Sequence, residues 1–319
     1  MANKLLQIDQ LEITFGRRKR AVKCAEQVTL DVEPGQIVCL VGESGCGKSI
    51  TALSVMGLLP RQGRVTGGSI RFEGCELRGL KERALDKIRG AGMGMVFQDI
   101  MYSLNPVLNI GLQMTEGMRR HLHIPRKEAR RRAIGLLEKV GIPAPERTMR
   151  KFPHQLSGGQ RQRVMIAMAI SCGPRLLIAD EPTTALDMTV QRQILMLLRQ
   201  LRDEGMGVLL ITHDIGVVAE LADRVVVMYA GQCVEEANVQ SLFAAPKHPY
   251  TKALMAAVPG LHDPRDRQLA AIPGTVPDCY DTMTGCRFAP RCPHAGQCPR
   301  TPAYTPGEHP VRCCLNLTD

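Results

Sequence analysis

The stretch Gly42-Glu43-Ser44-Gly45-Cys46-Gly47-Lys48-Ser49 constrains this chain more than any other part of it. It fills every fixed position of G-x-x-x-x-G-K-[ST], a pattern whose glycines let backbone N–H groups close around phosphate oxygens. The run before it, Gln36-Ile37-Val38-Cys39-Leu40-Val41, is apolar and β-branched and predicts a buried strand. The run after it, Ile50 to Leu59, predicts a helix stopped by Pro60. A helix that begins at such a loop adds the positive end of its dipole to the anion site. Lys48 is then placed to reach the β- and γ-phosphates of a nucleotide, and the Ser49 hydroxyl to ligate Mg²⁺. The bland alternative is a glycine-rich turn that precedes a helix by chance, and the rest of the chain decides between the two.

At 319 residues the chain can hold two or three domains. An apolar share of 44% points to packed cores, and with 3% aromatics and no Trp those cores are aliphatic. No apolar run approaches the ~18 residues that span a bilayer, so work at a membrane would go through a partner. No secretory signal opens the sequence, and twelve cysteines without one fit a reducing cytoplasm better than a secreted disulfide framework. The formal charge of +10 keeps nucleic acid or an anionic surface in view. The two basic runs, Arg17 to Arg20 and Arg126 to Arg132, lack interleaved aromatics for base stacking. In the second run Ala133, Leu136, Leu137 and Val140 keep helical spacing, which leaves the arginines mostly on a solvated face.

Taken in order, the first part alternates like antiparallel sheet at Leu11, Ile13 and Phe15, at Val28, Leu30 and Val32, and at Ile70 and Phe72. From about Asp99 to Cys172 the texture is helical. Strand patterns return at Leu176 to Ala179, Val208 to Ile211 and Val225 to Met228. Between the first two lies a helix with Val190, Ile194, Leu197, Leu198 and Leu201 on one face. This β–α–β alternation implies a parallel sheet covered by helices, with the helical block inserted. From Pro246 onward the chain holds 12 of its 21 prolines and 6 of its 12 cysteines, a composition that buries little core without a staple.

Two further segments carry chemistry. Leu176-Leu177-Ile178-Ala179-Asp180-Glu181 is an apolar strand ending in two carboxylates, which is the form of a Walker B element or of an ordinary solvated turn. In the first reading Asp180 approaches the Mg²⁺ of a bound nucleotide and Glu181 orients or deprotonates the attacking water. Leu156-Ser157-Gly158-Gly159-Gln160 precedes an uninterrupted helix, Arg161 to Cys172, and so makes a second anion site at a helix N-terminus. One nucleotide does not need two such sites from one chain. Two chains meeting head to tail do, each ATP lying between one chain's loop and the other's Ser157, Gly158 and Gly159.

With these motifs in this order the chain resembles the nucleotide-binding subunits of ATP-binding cassette transporters. The resemblance implies an α/β fold: a P-loop NTPase (RecA-like) core, an antiparallel β subdomain, an inserted helical subdomain at about 99–172 and a small Cys/Pro-rich C-terminal extension. It sets a cassette at 1–258 and the extension at 259–319. It also implies roles. Gln98, after the strand Gly94-Met95-Val96-Phe97, senses Mg²⁺ and the γ-phosphate; His213, in Ile211-Thr212-His213-Asp214, contacts the γ-phosphate; Asp187, in Ala185-Leu186-Asp187, lines the dimer seam. Gly42 to Ile50 and Ser157 to Gln160 hold the nucleotide. Phe15 is the candidate to stack on adenine, or else a core aromatic.

Finer details are similar to the dipeptide and oligopeptide importer branch: Gln98-Asp99, Ser103-Leu104-Asn105-Pro106, Tyr229-Ala230-Gly231 and His248-Pro249-Tyr250-Thr251-Lys252-Ala253-Leu254. Ile100 stands where that branch usually has Pro. The branch implies ATP and Mg²⁺ as ligands, a paralogous second ATPase in a heterodimer, two permease subunits, a periplasmic binding protein, and a peripheral seat on the cytoplasmic face of the inner membrane. Its tail pattern is met at Cys286, Cys292, Cys298 and Cys313, with five, five and fourteen intervening residues. Four thiolates hold a [4Fe–4S] cluster or Zn²⁺, and the tight C-x-x-C pairs of zinc ribbons are absent here. The resemblance favours the cluster; unmetallated cysteines remain the third reading, and Cys314 competes with Cys313. The function implied is ATP-driven uptake of dipeptides or oligopeptides. The alternatives are a soluble cassette ATPase acting on nucleic acid or ribosomes, a regulatory iron–sulfur module carrying the ATPase as passenger, or an importer of this branch for nickel, opines or glutathione.

Overall fold

The computed structural model describes residues 4–16, 21–99, 103–184, 186–257, 272–277, 280–298, 302–305 and 307–315. Arg17 to Arg20, Ile100 and Ala185 lie outside them. In chain order the strands are β1 (Leu6–Phe15), β2 (Val22–Val32), β3 (Ile37–Val41), β4 (Gly63–Phe72), β5 (Cys75–Glu76), β6 (Met93–Val96), β7 (Leu176–Asp180), β8 (Gly207–Thr212), β9 (Arg224–Tyr229) and β10 (Gln232–Asn238). The helices are α1 (Lys48–Val55), α2 (Glu82–Ile88), α3 (Ile110–Leu122), α4 (Arg126–Lys139), α5 (Pro145–Thr148), α6 (Gly158–Ala169), α7 (Met188–Asp203), α8 (Ile215–Leu221), α9 (Val239–Ala244) and α10 (Pro249–Ala256).

Two compact units divide the chain. One comprises Leu6–Asp31, Ile37–Arg78 and Ile211–Asp319. It contains a sheet in the order β2-β1-β4-β5, in which β1 and β4 run antiparallel from Leu6 opposite Phe72 to Phe15 opposite Gly63. A bulge interrupts that pairing between Asp9 and Glu12. Beside this sheet in the same unit, β3 runs parallel to β9 from Val38 opposite Arg224 to Val41 opposite Val227, and β10 returns antiparallel to β9. All five residues of β3 are buried, as a strand covered on both faces requires.

The other unit comprises Met1–Leu5, Val32–Gln36 and Gly79–Leu210. Here β6 and β7 pair in parallel from Met93 opposite Leu176 to Val96 opposite Ala179, with β8 next to β7. The helix α7 buries Ile194, Leu195, Leu197, Leu198 and Leu201, the stripe expected from its spacing, while Val190 is only half-buried. On α4 the buried positions are Ala129, Ala133 and Leu137. Arg131 and Arg132 on that helix are exposed and pair with Glu128 at 2.6 and 2.9 Å, which makes the basic run a solvated face on that side.

Two helix boundaries differ from expectation. The helix after the glycine loop ends at Val55 rather than Leu59, because Gly57 takes a left-handed φ of 63° and the N–H groups of Gly57 and Leu58 turn back to Ser54 and Leu53. The helix expected over Arg161 to Cys172 spans Gly158–Ala169, since Ser157 and Gln160 form a capping box that starts it earlier. No described helix is long and apolar enough to cross a membrane.

Candidate functional site

The glycine loop leaves β3 and enters α1 with three left-handed or extended-positive glycines: Gly42 at φ 153°, Gly45 at 79° and Gly47 at 103°. Gly42 admits no side chain, for a Cβ there would lie 2.1 Å from the Met228 carbonyl oxygen and 2.9 Å from Cys46 Sγ. At Gly47 a Cβ would meet the Cys24 carbonyl and Met228 Cε, each at 2.8 Å. The loop is tied to β9–β10 by the Gly231 N–H, which donates to the Cys46 carbonyl at 2.9 Å. Lys48 is buried, and its ammonium donates to the carbonyls of Gly42 (2.7 Å) and Glu43 (2.9 Å). The Cys46 thiol lies 3.7 Å from the same nitrogen, and burial pushes that thiol's pKa up against the opposing Lys48 charge. Ser44 and Gly45 are exposed at the tip, while Ser49 and Ile50 are half-buried in the first turn of α1.

The Phe15 ring, half-buried, lies over Gly63, whose added Cβ would stand 2.7 Å from it. One face of the ring is thus spent on packing within the sheet. His213 is exposed just beyond β8, and Asp214 after it caps α8 by accepting from the N–H groups of Gly216 and Val217. These residues all belong to the unit that contains the loop.

In the other unit Asp180 ends β7 with 4% of its surface exposed. Glu181 follows in a left-handed conformation, φ 47°, which non-glycine residues adopt at a cost of about 1–3 kcal/mol. Its Oε2 accepts from Gln98 Nε2 at 3.2 Å and from Thr184 Oγ1 at 2.9 Å. The structure thus joins the two residues that the motifs placed 83 positions apart. Gln162, buried on α6, donates to the Pro182 carbonyl at 2.7 Å and fixes the turn that follows Glu181. Ser157 caps α6 by accepting from Gln160 N–H at 3.3 Å, and Gln160 Oε1 accepts from Ser157 N–H at 3.2 Å. Ser157 is exposed, and an added Cβ on Gly158 would meet nothing within 4 Å. On Gly159 it would strike Val190 at 2.9 Å, so this glycine is needed for packing against α7. Asp187 is exposed and caps α7, its carboxylate accepting from Val190 N–H at 2.9 Å.

Two contacts to the loop escaped motif reasoning. The Tyr250 hydroxyl accepts from the Glu43 N–H at 2.8 Å, and the Glu43 carboxylate pairs with Arg291. Both partners sit inside segments that the sequence singled out, His248 to Leu254 and Cys286 to Cys292, but nothing in spacing says which loop they reach.

The tail cysteines do not assemble as a single-ion site. Among the described residues no group of three or more His, Cys, Asp or Glu could hold a metal ion. The thiols are nonetheless near enough to act on one another. Burial pushes Cys298 up to about 11, and negative charge on Cys314, Cys313, Cys286 and Cys292 adds to it. Burial also raises Cys286 and Cys313, each with a contribution from Cys292. Each of the five is half-buried and none is in a disulfide. Short 3₁₀ turns at Ala289–Arg291 and Ala295–Gln297 separate the first three along the chain.

A glycine loop with a captive lysine, a strand ending in two carboxylates and a serine-capped glycine turn define an ATP-binding cassette, and the family model described as "ABC transporter" matches residues 25–184. A second family model, the C-terminal region of oligopeptide/dipeptide transporters, matches residues 234–298. The chain is 50% identical over 293 residues to the oligopeptide transport ATP-binding protein AppD of Bacillus subtilis, covering 91% of this chain and 89% of that one. It is 47% identical over 292 residues to the dipeptide transport ATP-binding protein DppD of Escherichia coli, with 91% and 89% covered. Among solved structures it resembles the dimeric post-hydrolysis state of the ATP-binding cassette MJ0796 bound to ADP and Pi, with a TM-score of 0.67 and 29% identity over 73% of this chain and 98% of that one. The chain belongs to the ABC transporter family, in its branch of oligopeptide and dipeptide transport ATP-binding proteins.

Proposed function

We propose that this chain is the ATP-hydrolysing subunit of an importer that takes up dipeptides or oligopeptides. The observation that carries the reading is that the complete set of cassette motifs sits on a chain 47–50% identical, over 91% of its length, to peptide-transport ATP-binding proteins. Lys48 exchanges its two carbonyl partners for the β- and γ-phosphate oxygens when ATP enters the loop. We assign Ser49, Asp180 and Gln98 to the Mg²⁺ that would accompany ATP and would supply charge neutralisation at the phosphates. Glu181 accepts the proton of the attacking water, with Gln98 and Thr184 already bonded to its carboxylate and fixing its direction. His213 is assigned to the γ-phosphate, and Phe15 to the adenine through the ring face not spent on Gly63.

The Ser157 turn is assigned to the ATP of a second cassette, with Gly158, Gly159 and Gln160. Exposure of Ser157 and the open space at Gly158 support this, as does the dimeric state of the similar MJ0796 cassette. Asp187 then lines the seam, and the second cassette is a paralogue of this one. The boundary between cassette and extension is set at residue 258. Exposed apolar residues flanking this segment in the sequence, Phe97 at 38% and Val107 at 75%, support docking of two permease subunits around Gln98 to Pro106. A periplasmic binding protein delivers the peptide, and the chain sits peripherally on the cytoplasmic face of the inner membrane. The nucleic-acid alternative has no counterpart in the relatives named above.

In the extension we assign Cys286, Cys292, Cys298 and Cys313 to a [4Fe–4S] cluster, with Cys314 as the competing fourth ligand. Half-buried cysteines, none of them in a disulfide, are the donor chemistry such a cluster takes. No step of hydrolysis passes through it. The experiment is purification of the tagged chain from membranes under anaerobic conditions. Co-purification of a two-subunit permease and a peptide-loaded binding protein is expected, with iron and sulfide in the preparation. A permease whose binding protein carries nickel, an opine or glutathione would reassign the cargo. Iron-free protein would remove the cluster and leave the transport reading intact.

A further inference from the structure

The unit that carries the phosphate loop also contains a strut that none of the nucleotide-binding motifs includes. Arg291 lies in the extension with its side chain 4% exposed, and its guanidinium grips the carboxylate of Glu43, the second residue of the loop, as a fork. The Nη1–Oε2 distance is 2.6 Å and the Nη2–Oε1 distance is 3.0 Å. The remaining donors are also taken. Nε–H donates to the Pro273 carbonyl at 2.7 Å, Nη2 to the carbonyls of Gly274 and Ile272 at 3.3 and 3.4 Å, and Nη1 to the Tyr229 hydroxyl at 3.4 Å. Every N–H of a buried guanidinium thus has an acceptor, the condition under which such a charge holds its neighbours rigidly. Behind it pack Tyr229, Tyr250 and Phe288, with ring centroids 4.6 to 5.4 Å apart.

Glu43 is therefore held twice, by Arg291 through its side chain and by the Tyr250 hydroxyl through its N–H. Its carbonyl in turn receives the Lys48 ammonium at 2.9 Å. The line of contacts runs from the extension through Glu43 to the lysine that meets phosphate. A loop whose backbone N–H groups must already point inward binds phosphate without first losing conformational freedom. We infer that Arg291 is a positioning residue for the phosphate loop, and that the C-terminal extension sets the chain's affinity for ATP through the Arg291–Glu43 fork. This rests on Gly42 to Ser49 being the ATP phosphate site, and the two can fail separately. Lys48→Ala abolishes ATP binding if that site is right, whatever Arg291 does.

The test uses the full chain assembled with its partner subunits and measures the KM and kcat for ATP, the Kd for ATP without Mg²⁺, and thermal stability. Glu43→Gln is the deciding variant, because Arg291 keeps its carbonyl partners in it and the extension stays anchored. Arg291→Lys keeps the charge but loses the two-pronged geometry. Each is expected to raise KM and Kd about ten-fold, the effect of losing one charge-assisted fork, with kcat within about two-fold of wild type. The double variant is expected to match the weaker-binding single, since both changes cut one link. The inference is overturned if Glu43→Gln melts like wild type and binds ATP equally well. It is overturned too if the two effects multiply to about a hundred-fold, or if kcat falls with KM unchanged.

Discussion

His248 makes stability of the extension's root depend on pH in a way that can be worked out from its surroundings. It caps α10, its Nδ1 accepting from the Tyr250 N–H at 3.0 Å, so the ring must be unprotonated at that nitrogen. The residue is 1% exposed, and burial pushes its pKa down to about 4, the Arg312 backbone opposing only in part. Glu235 on β10 accepts from the N–H groups of Lys247 (2.6 Å) and His248 (2.9 Å) and from the His309 ring. In the unfolded chain the ring titrates near 6.5, so between pH 6.5 and 4 the unfolded state binds more protons than the folded one. Stability from this residue is complete above pH 6.5 and drains away as the pH falls toward 4. A drop from 6.5 to about 4 corresponds to about 3 kcal/mol. The perturbation is His248→Asn, which keeps a capping side chain and does not titrate. Melting curves of both proteins from pH 7 to 4 give the difference directly, and carboxylates common to both cancel in it. The gap between wild type and variant should shift by about 3 kcal/mol against wild type over that range, or about 6 °C at roughly 2 °C per kcal/mol. A gap that stays flat with pH would show that His248 is not the neutral cap described.

Three further outcomes are expected. Gly42→Ala forces a Cβ to 2.1 Å from a strand carbonyl at a positive φ, and should cost about 3–5 kcal/mol and abolish ATP binding, read by denaturant melts and nucleotide titration. Ser157→Ala should cost only ~1 kcal/mol of stability as a lost helix cap, yet cut ATPase activity of the assembled pair by far more than that predicts. Glu181→Gln should leave ATP binding intact and lower kcat by about 10²–10³, trapping the closed pair on size-exclusion chromatography. Native turnover in that variant would refute the role given to Glu181.

Much of the loop was legible because its chemistry is local. Gly42, Gly45 and Gly47 are demanded by backbone angles and by Met228 and Cys24 pressing against them, and Lys48 lies within a few residues of the carbonyls that hold it. Ser157 was legible for the same reason, since its capping box closes within four residues. The strands of Val38, Ile178 and Val226 declared themselves as short apolar runs. Boundaries were less legible where a single glycine ended a pattern that hydrophobicity alone would continue, as at Gly57. The Gln98–Glu181 bond could be anticipated only from the order of known motifs, because 83 residues separate the pair. Arg291 to Glu43, at a separation of 248, carries no local signature at all.

The claim on which the rest depends is that ATP consumed at this chain's loop moves peptide across a membrane. Its most direct check is uptake of a labelled dipeptide into vesicles holding the full importer, with ATP supplied on the cassette side and phosphate release measured together. Uptake should track phosphate release and stop with Glu181→Gln in this chain. Undiminished uptake in the hydrolysis-dead variant, or phosphate release with no peptide moved, would contradict it.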